Sequence, residues 1–485
     1  MHEITRREFL TNTALLAGSA MLPRTIFAGD AAPQRPNVIL CMTDDQGWGD
    51  TGYNGHPVLR TPHLDQMTKD GMRFERFYSG APVCSPTRGS CITGRHPYRY
   101  GIRFANVGHM KKEEITLAEV LKMQGYSAGH FGKWHLGTLT TRIKESNRAR
   151  PGNTKHYSPP WDSGFDACFS TEAKVPTWDP MKLPGDFGSG SKGLGWPFLT
   201  PGQKFTHYGT QYWEGEDKVA EGNLDGDDSR VIMDRALPFI RKAAEQRTPF
   251  LAVIWFHTPH LPVVAGPKYA AMYSEHDLHM RNFYGCITAM DEQMGRLRKE
   301  LRNLGVEDNT MLWFCSDNGP EGNSNGPGKT NGLRGRKRSL YEGGVRVPGL
   351  LVWPKMIKKS RVVSMPCSTN DYFPTVLDAL GHQLPEAKMR PYDGISLLPL
   401  IKGEMDQRSH PIAFESKNQV SLTDNQYKIY SKDKGQPYEL YDLIADQGEE
   451  IDIADRQPHI VKRMRQTLEQ WQQSCKKSAN GKDYQ

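Results

Sequence analysis

No apolar run past the N-terminal segment approaches the ~18–20 residues that a membrane-spanning helix requires; the longest, Phe250 to Phe256, has the length of a strand. An integral membrane protein is therefore not expected. Charge of one sign is also scarce. The 62 Lys and Arg residues face 55 Asp and Glu, a net +7 that is dispersed apart from one cluster, which argues against general affinity for nucleic acid. A disulfide framework is missing as well, since the eight cysteines follow no recognisable spacing. Cys41 and Cys315 end apolar runs and read as buried thiols, leaving Cys84, Cys91, Cys168, Cys286, Cys367 and Cys475 free to pair in an oxidising compartment. Glycine is aperiodic and no internal repeat is visible, while 10% aromatic residues exclude disorder. What remains is a folded, loop-rich globular protein. Its 485 residues allow two to four domains, or one large α/β domain with an appendage.

The N-terminus reads as a targeting segment. Thr5-Arg6-Arg7-Glu8-Phe9-Leu10 precedes a weakly apolar stretch, Ala14 to Leu22, and then the small-residue segment Ala28-Gly29-Asp30-Ala31-Ala32. That order matches an export signal of the bacterial twin-arginine type, the alternative being an amphipathic first helix. Residues 1–32 are accordingly set apart from the fold. A periplasmic or secreted protein handled by the twin-arginine export machinery is expected.

Val38 to Met42, Phe250 to Phe256, Met311 to Phe314 and Leu350 to Trp353 are short continuous apolar runs, as central parallel strands covered on both faces require. Helical patterns lie between them. Thr116 to Glu119 has capping-box spacing, and Phe283, Ile287, Met290, Met294, Leu297, Leu301 and Leu304 mark a long amphipathic helix. The expected fold is α/β, a mostly parallel central sheet flanked by helices. We place the catalytic domain at 33–380, with a loop-rich insert at about 138–230 carrying Trp161, Trp178, Trp196 and Trp213. Residues 381–485 form a smaller C-terminal α+β subdomain, in which Tyr427 to Tyr430 and Tyr438 to Tyr441 read as strands and Ile460 to Trp471 as a closing helix. Gly188 to Gly193 and Gly328-Lys329-Thr330 imitate nucleotide-binding loops but lack the strand and helix context, or the first glycine, that such loops need.

Polar residues follow these strands directly. Asp44 and Asp45 come after the first, Asp317 and Asn318 after Met311 to Phe314, His257 and His260 after Phe250 to Phe256, and Lys133 and His135 after a short strand near Ala128 to Phe131. In an open parallel sheet, groups beyond the carboxyl ends of neighbouring strands converge on one crevice. Singly, an Asp after a strand is a turn or cap residue and a lone His or Lys is surface; repetition at four strand ends is what those readings leave unexplained. Asp44, Asp45, Asp317 and Asn318 supply only hard oxygen donors, three of them anionic, and suit Ca²⁺ or Mg²⁺ rather than zinc.

A second constellation is Cys84-Ser85-Pro86-Thr87-Arg88, continuing to Thr93-Gly94-Arg95. Cys84 opens a helix N-terminus with Arg88 one turn on, which favours an anion at position 84. A buried or disulfide-linked cysteine, such as Cys84 with Cys91, and a plain thiolate nucleophile are the other readings. At these residues the sequence resembles the type I sulfatases of the alkaline phosphatase superfamily, whose signature Cys-x-Pro-x-Arg followed by Thr-Gly is met by Cys84, Pro86, Arg88, Thr93 and Gly94. Asn37 to Asp50, Gly132 to Gly137, Ser316 to Gly319, Leu333 to Pro348 and Tyr438 to Leu443 also look like family blocks, so the likeness, which extends to arylsulfatases and N-acetylgalactosamine-6-sulfatase-like enzymes, covers nearly the whole chain after residue 32.

The resemblance implies that Cys84 is converted to formylglycine by a maturation enzyme, and that its hydrate carries two hydroxyls on one carbon. It further implies a metal site of Asp44, Asp45, Asp317, Asn318 and the residue-84 side chain, with Ca²⁺ the usual ion and Mg²⁺ the alternative. Lys133, His135, His260 and Lys337 match sulfate-contacting and proton-transfer residues, Arg88 would hold the diol, and Asp317 would take a proton from it. His257 competes with His260 for the imidazole role; His260 is favoured because it precedes Leu-Pro as in relatives. Two hydroxyls matter because the second can expel sulfate after the first has attacked, where a plain Ser or Cys would stay trapped as its ester. The basic run Lys329, Arg334, Arg336, Lys337, Arg338 and Arg346 fits an anionic substrate. The expected activity is hydrolysis of sulfate esters, with sulfated carbohydrate as the substrate class. A phosphodiester or phosphonate monoester hydrolase and a catalytically silent glycan binder are the alternatives.

Overall fold

The computed structural model describes residues 35–185, 193–434 and 437–484. The expected export segment at 1–32 and most of the glycine-rich stretch at 188–193 lie outside the described residues. Arg35–Gln485 forms one compact unit.

Its centre is a ten-stranded sheet, and the middle of that sheet is parallel. In spatial order Thr310–Ser316, Asn37–Thr43, Phe250–Trp255, Ser127–Lys133 and Ala167–Thr171 run in one direction. Antiparallel strands extend it at both sides, Gly349–Val352 beside Thr310–Ser316 and Trp213–Gly215 beside Ala167–Thr171. Every residue of Phe250–Trp255 and Thr310–Ser316 is buried, as expected of strands covered on both faces.

Alternation divides the side chains between two cores. Val38, Leu40 and Met42 pack on one face with Ile92, Leu117, Leu121 and Phe373, while Ile39 and Cys41 pack on the other with Leu64, Ile232, Ile287 and Met294. The first face is covered by helices Cys84–Thr93, Leu117–Met123 and Tyr372–Ala379, and the second by Pro62–Asp70, Asp228–Glu245 and Leu278–Asn303. Thr116 and Glu119 close the expected capping box. The fold is thus the α/β architecture read from the apolar runs.

Toward the C-terminus, Ile412–Ser416, Gln419–Thr423, Tyr427–Ser431 and Glu439–Asp442 form an antiparallel sheet. Val420, Leu422, Ile429 and Leu440 bury one face against Ile460, Met464 and Leu468 of helix Pro458–Ala479. No helix among the described residues is long and apolar enough to cross a membrane.

Two expectations change here. The stretch from 138 to 230 is not wholly loop, because Ala167–Thr171 is a buried strand of the central sheet. It escaped the pattern because ACFST mixes apolar and hydroxyl residues, which fit a buried strand as well as a continuous apolar run does. The eight cysteines are all unpaired and buried. Cys84 and Cys91 stand seven residues apart on one helix, a rise of ~10.5 Å, beyond the ~7 Å that a disulfide can span.

Candidate active site

Register brings the acidic residues together. Thr43 pairs with Ser316, so Asp44 and Asp317 leave the sheet side by side, and the Asp317 amide donates to the Thr43 carbonyl at 3.0 Å. The Asp45 amide donates to Asp317 Oδ1 at 3.0 Å, and Asn318 Nδ2 to Asp45 Oδ1 at 2.7 Å. Asp44, Asp45, Asp317 and Asn318 are each at most 1% exposed.

Cys84 is the first residue of helix Cys84–Thr93, and its sulfur lies within 4.8 Å of carboxylate oxygens of Asp44 and Asp317. One turn on, Arg88 donates to Asp317 Oδ2 at 2.8 Å and to the Lys133 carbonyl at 2.9 Å, with its guanidinium 5.2 Å from the centre of the Trp255 ring. Gly132 lets the chain turn toward Lys133: its φ is +104°, and a Cβ there would fall 1.9 Å from the Trp255 carbonyl oxygen. Lys133 Nζ then reaches Asp44 Oδ2 at 2.5 Å, and Lys337 Nζ reaches Asp45 Oδ2 at 2.6 Å.

The two imidazoles have distinct settings. His260 lies 3.6 Å from Asp45 and donates from Nδ1 to the Leu261 carbonyl at 2.6 Å, which leaves Nε2 as the bare nitrogen of the neutral ring. In His135 the order is reversed. Nε2 bonds Asn106 Oδ1 at 2.9 Å, and Nδ1 is buried without a partner. His257 belongs to the core instead, with Nδ1 on Asp228 at 2.8 Å and Nε2 on the Thr171 hydroxyl at 2.8 Å. His260 is therefore the imidazole that faces the site.

Electrostatics follow from burial. Desolvation pushes the Cys84 thiol up in spite of Lys133 and Lys337, which speaks against a plain thiolate nucleophile. Burial opposes ionisation of Asp44, but Lys133, His260 and Arg88 together hold it well below the usual carboxylate range. Asp317 goes the other way, pushed up to about 8 by burial and by the neighbouring Asp44 against the pull of Arg88. Two carboxylates this close oppose each other's ionisation, a conflict that a bound dication would relieve. Burial lowers His260 to about 3 and His135 well below its ordinary value.

A cavity of about 890 Å³ opens over Cys84, Lys133, His135, His260 and Lys337. Its walls include residues that sequence reasoning did not select. Asn106, in a left-handed turn at φ +61°, fixes the His135 tautomer, and Lys174, just beyond Ala167–Thr171, has neither a hydrogen bond nor an ion pair among the described residues. The insert does line the cavity, but through Lys144, Asn147, Lys174 and Tyr208, and none of its four tryptophans is among the lining residues. Trp196 and Trp213 are buried in the interior. The basic run also divides. Lys337 and Arg338 face the cavity, whereas Arg334 stacks on Tyr341 at 3.9 Å, Arg336 donates to the Glu321 and Gly328 carbonyls, and Arg346 is buried against Trp48.

The donor set fits a hard divalent cation. Its atoms are oxygens, and two of them, Asp44 Oδ1 and Asn318 Oδ1, are buried without any hydrogen-bond partner, a costly state unless an ion or similar group fills the gap.

Known proteins resemble this chain over most of its length. A family model described as Sulfatase matches residues 36–382, and one described as N-sulphoglucosamine sulphohydrolase, C-terminal, matches residues 335–474. N-acetylgalactosamine-6-sulfatase of Mus musculus is 32% identical over 423 residues, covering 82% of this chain and 72% of its own length. Steryl-sulfatase of Mus musculus is 30% identical over 449 residues, covering 82% and 70%. Among solved structures, Ps i-CgsB in complex with k-i-k-neocarrahexaose superposes with a TM-score of 0.72 at 26% identity, covering 91% of this chain and 93% of that one. The fold is also shared, at a TM-score of 0.61 and 19% identity over 92% and 96% of the two chains, with the phosphonate monoester hydrolase of Agrobacterium radiobacter.

Proposed function

Since the chain belongs to the sulfatase family and is a sulfuric ester hydrolase, we propose that it releases sulfate from sulfated carbohydrates, using a formylglycine made from Cys84 beside a bound Ca²⁺. The observation that carries this reading is the set of orphaned oxygens of Asp44 and Asn318 next to position 84, flanked by Lys133 and Lys337 and open to a large cavity. Asp44, Asp45, Asp317 and Asn318 would hold the ion. Cation and hydrated aldehyde together would supply a polarised geminal diol as nucleophile.

The remaining work falls to side chains already in place. Lys133 and Lys337 each spend one donor on an aspartate and keep others for the non-bridging sulfate oxygens, approaching from different sides. Arg88, clamped between Asp317 and the Lys133 carbonyl, fixes the geometry around residue 84. Lys337, an ammonium on the cavity wall, is assigned the proton that the departing alcohol oxygen needs, and His260, whose Nε2 is bare in the free protein, accepts a hydrogen bond there and shares the acid role only once that nitrogen has itself taken up a proton. His135, held by Asn106 with Nδ1 bare, is assigned the base role in releasing sulfate. The carbohydrate class draws on the relatives named for N-acetylgalactosamine-6-sulfate and on the structure solved with neocarrahexaose. For this chain we also propose maturation by a formylglycine-generating enzyme and export to the periplasm or medium.

Turnover of nitrophenyl sulfate against phenyl phosphonate tests the reaction class. A higher specificity constant on the sulfate is expected, and the reverse would replace the sulfatase reading with the phosphonate hydrolase whose fold is shared. Peptide mass analysis of protein from its native host should find residue 84 about 18 Da lighter than cysteine, and an intact thiol there would remove the diol.

A further inference from the structure

A second cavity, of about 580 Å³, adjoins the first, and Phe104 lines both. It lies between the turn Pro97–Arg99, the hairpin of Ile412–Ser416 with Gln419–Thr423, and helix Pro458–Ala479. Its charge is one-sided. Arg103, Lys417 and Lys476 have no carboxylate of the described residues within 4.0 Å, and the acid present, Glu415, is already engaged by Lys434 at 3.3 Å and by Gln472 at 3.1 Å.

Lys417 is the unusual residue. It occupies a tight hairpin turn at φ +54°, a left-handed position where Asn, Asp or Gly is the ordinary choice. Its backbone N–H donates to the Tyr98 hydroxyl at 2.9 Å, and its ammonium lies 4.3 Å from the centre of the Phe104 ring. Arg103 lies 5.8 Å from the centre of the Tyr98 ring. A cation is thus held, in a backbone conformation that lysine seldom adopts, over the one aromatic ring that both cavities share.

We propose that this cavity is a distal subsite for a second anionic group, a sulfate ester or a carboxylate, on the same saccharide chain whose scissile sulfate sits over residue 84. The inference rests on the carbohydrate reading above. Cations without partners raise the local concentration of a polyanion and gain most from an anion that arrives already tethered. Phe104 offers an apolar surface to the sugar between the two anionic groups. A single sulfated sugar occupies only the first cavity, so the subsite selects for chain length.

The test combines Lys417→Asn, which keeps a residue suited to the left-handed turn, with Lys476→Gln on the helix surface. Substrates are nitrophenyl sulfate and the di- and hexasaccharides of chondroitin sulfate and of carrageenan. For a hexasaccharide that the wild type desulfates, KM should rise about five- to twentyfold with kcat within about twofold, and its dependence on salt should flatten. KM for nitrophenyl sulfate should not move. Equal hexasaccharide KM values in wild type and variant overturn the subsite alone. A wild type that hydrolyses nitrophenyl sulfate but none of the saccharides overturns the carbohydrate reading, and the subsite falls with it.

Discussion

Two buried clusters of opposite charge can be set side by side, one at the carboxyl ends of the central strands and one beneath the C-terminal sheet. In the second, Lys428 Nζ lies 3.0 Å from Glu342 and 2.9 Å from Glu449, Glu342 also accepts from the Tyr78 hydroxyl at 2.9 Å, and Glu449 accepts from the Glu342 amide at 2.6 Å. Lys428, Glu342 and Glu449 are 0% exposed and line none of the cavities described above. Ionisation is disturbed in both places, since burial raises Glu449 to about 7 much as it raises Asp317 to about 8. Burial and a displaced pKa therefore do not separate chemistry from structure. What differs is the cavity: the strand-end cluster opens on it through Cys84, Lys133 and Lys337, whereas the Lys428 cluster is closed, and there even Glu449 Oε1, which lacks a hydrogen bond, lies 2.9 Å from the Lys428 ammonium.

The sharpest way to break that comparison is to remove the nucleophile. Cys84→Ala should cut sulfate release on the order of 10⁴-fold or more while leaving the thermal midpoint within a few degrees of wild type. Cys84→Ser should fail or accumulate a sulfated enzyme visible by intact mass, and near-normal steady-state turnover by that variant would contradict the diol. Next in size is the metal. Asp317→Ala should lose both bound divalent ion and activity, by about 10²–10³-fold, and a chelator should do the same to the wild type, reversibly on adding Ca²⁺. Metal analysis showing an undiminished ion would take Asp317 out of the ligand set.

The opposite pattern is expected under the C-terminal sheet. Lys428→Met strands two carboxylates in the interior and should cost about 3–5 kcal/mol of stability by denaturant titration. The folded fraction should keep kcat/KM within about twofold. Lost activity at unchanged stability would mean that this cluster acts in the reaction, and the distinction drawn above would fail.

How much of this was legible in the sequence depends on how local the determining physics is. Four strand ends could be read because each joins an apolar run to a polar residue, a pattern that backbone alternation and burial impose within a few residues. The Cys84 helix was equally local. Asn106 was not, because its role depends on a left-handed turn meeting His135 from 29 residues away. The insert tryptophans were ambiguous for the same reason: large aromatics serve a sugar site or a core equally well in composition, and packing sends Trp196 and Trp213 inward. Proximity in sequence likewise made one basic patch of Lys329 to Arg346, where the fold spends Arg334 on an aromatic ring, Arg336 on carbonyl oxygens and Arg346 on burial against Trp48.

Lys174 is where the strand-end rule held and was still overlooked. Ala167–Thr171 is the fifth parallel strand, Lys133 pairs with Thr171 in register, and the chain beyond it delivers a lysine to the cavity that Lys133, His135 and His260 line beyond their own strands. Burial, then Lys133 and Lys337, lower its pKa, and among the described residues this half-buried amine has no hydrogen bond or ion pair to offset its desolvation. An anionic substrate relieves that strain only while bound and equally before and during reaction, which is the signature of uniform binding. Lys174→Ala should therefore raise KM for a sulfated saccharide about three- to tenfold with kcat within about twofold, and Lys174→Arg should restore most of the loss. A fall in kcat at constant KM would instead place Lys174 among the groups that act on the reacting sulfate, and an unchanged KM would leave it a spectator on the cavity wall.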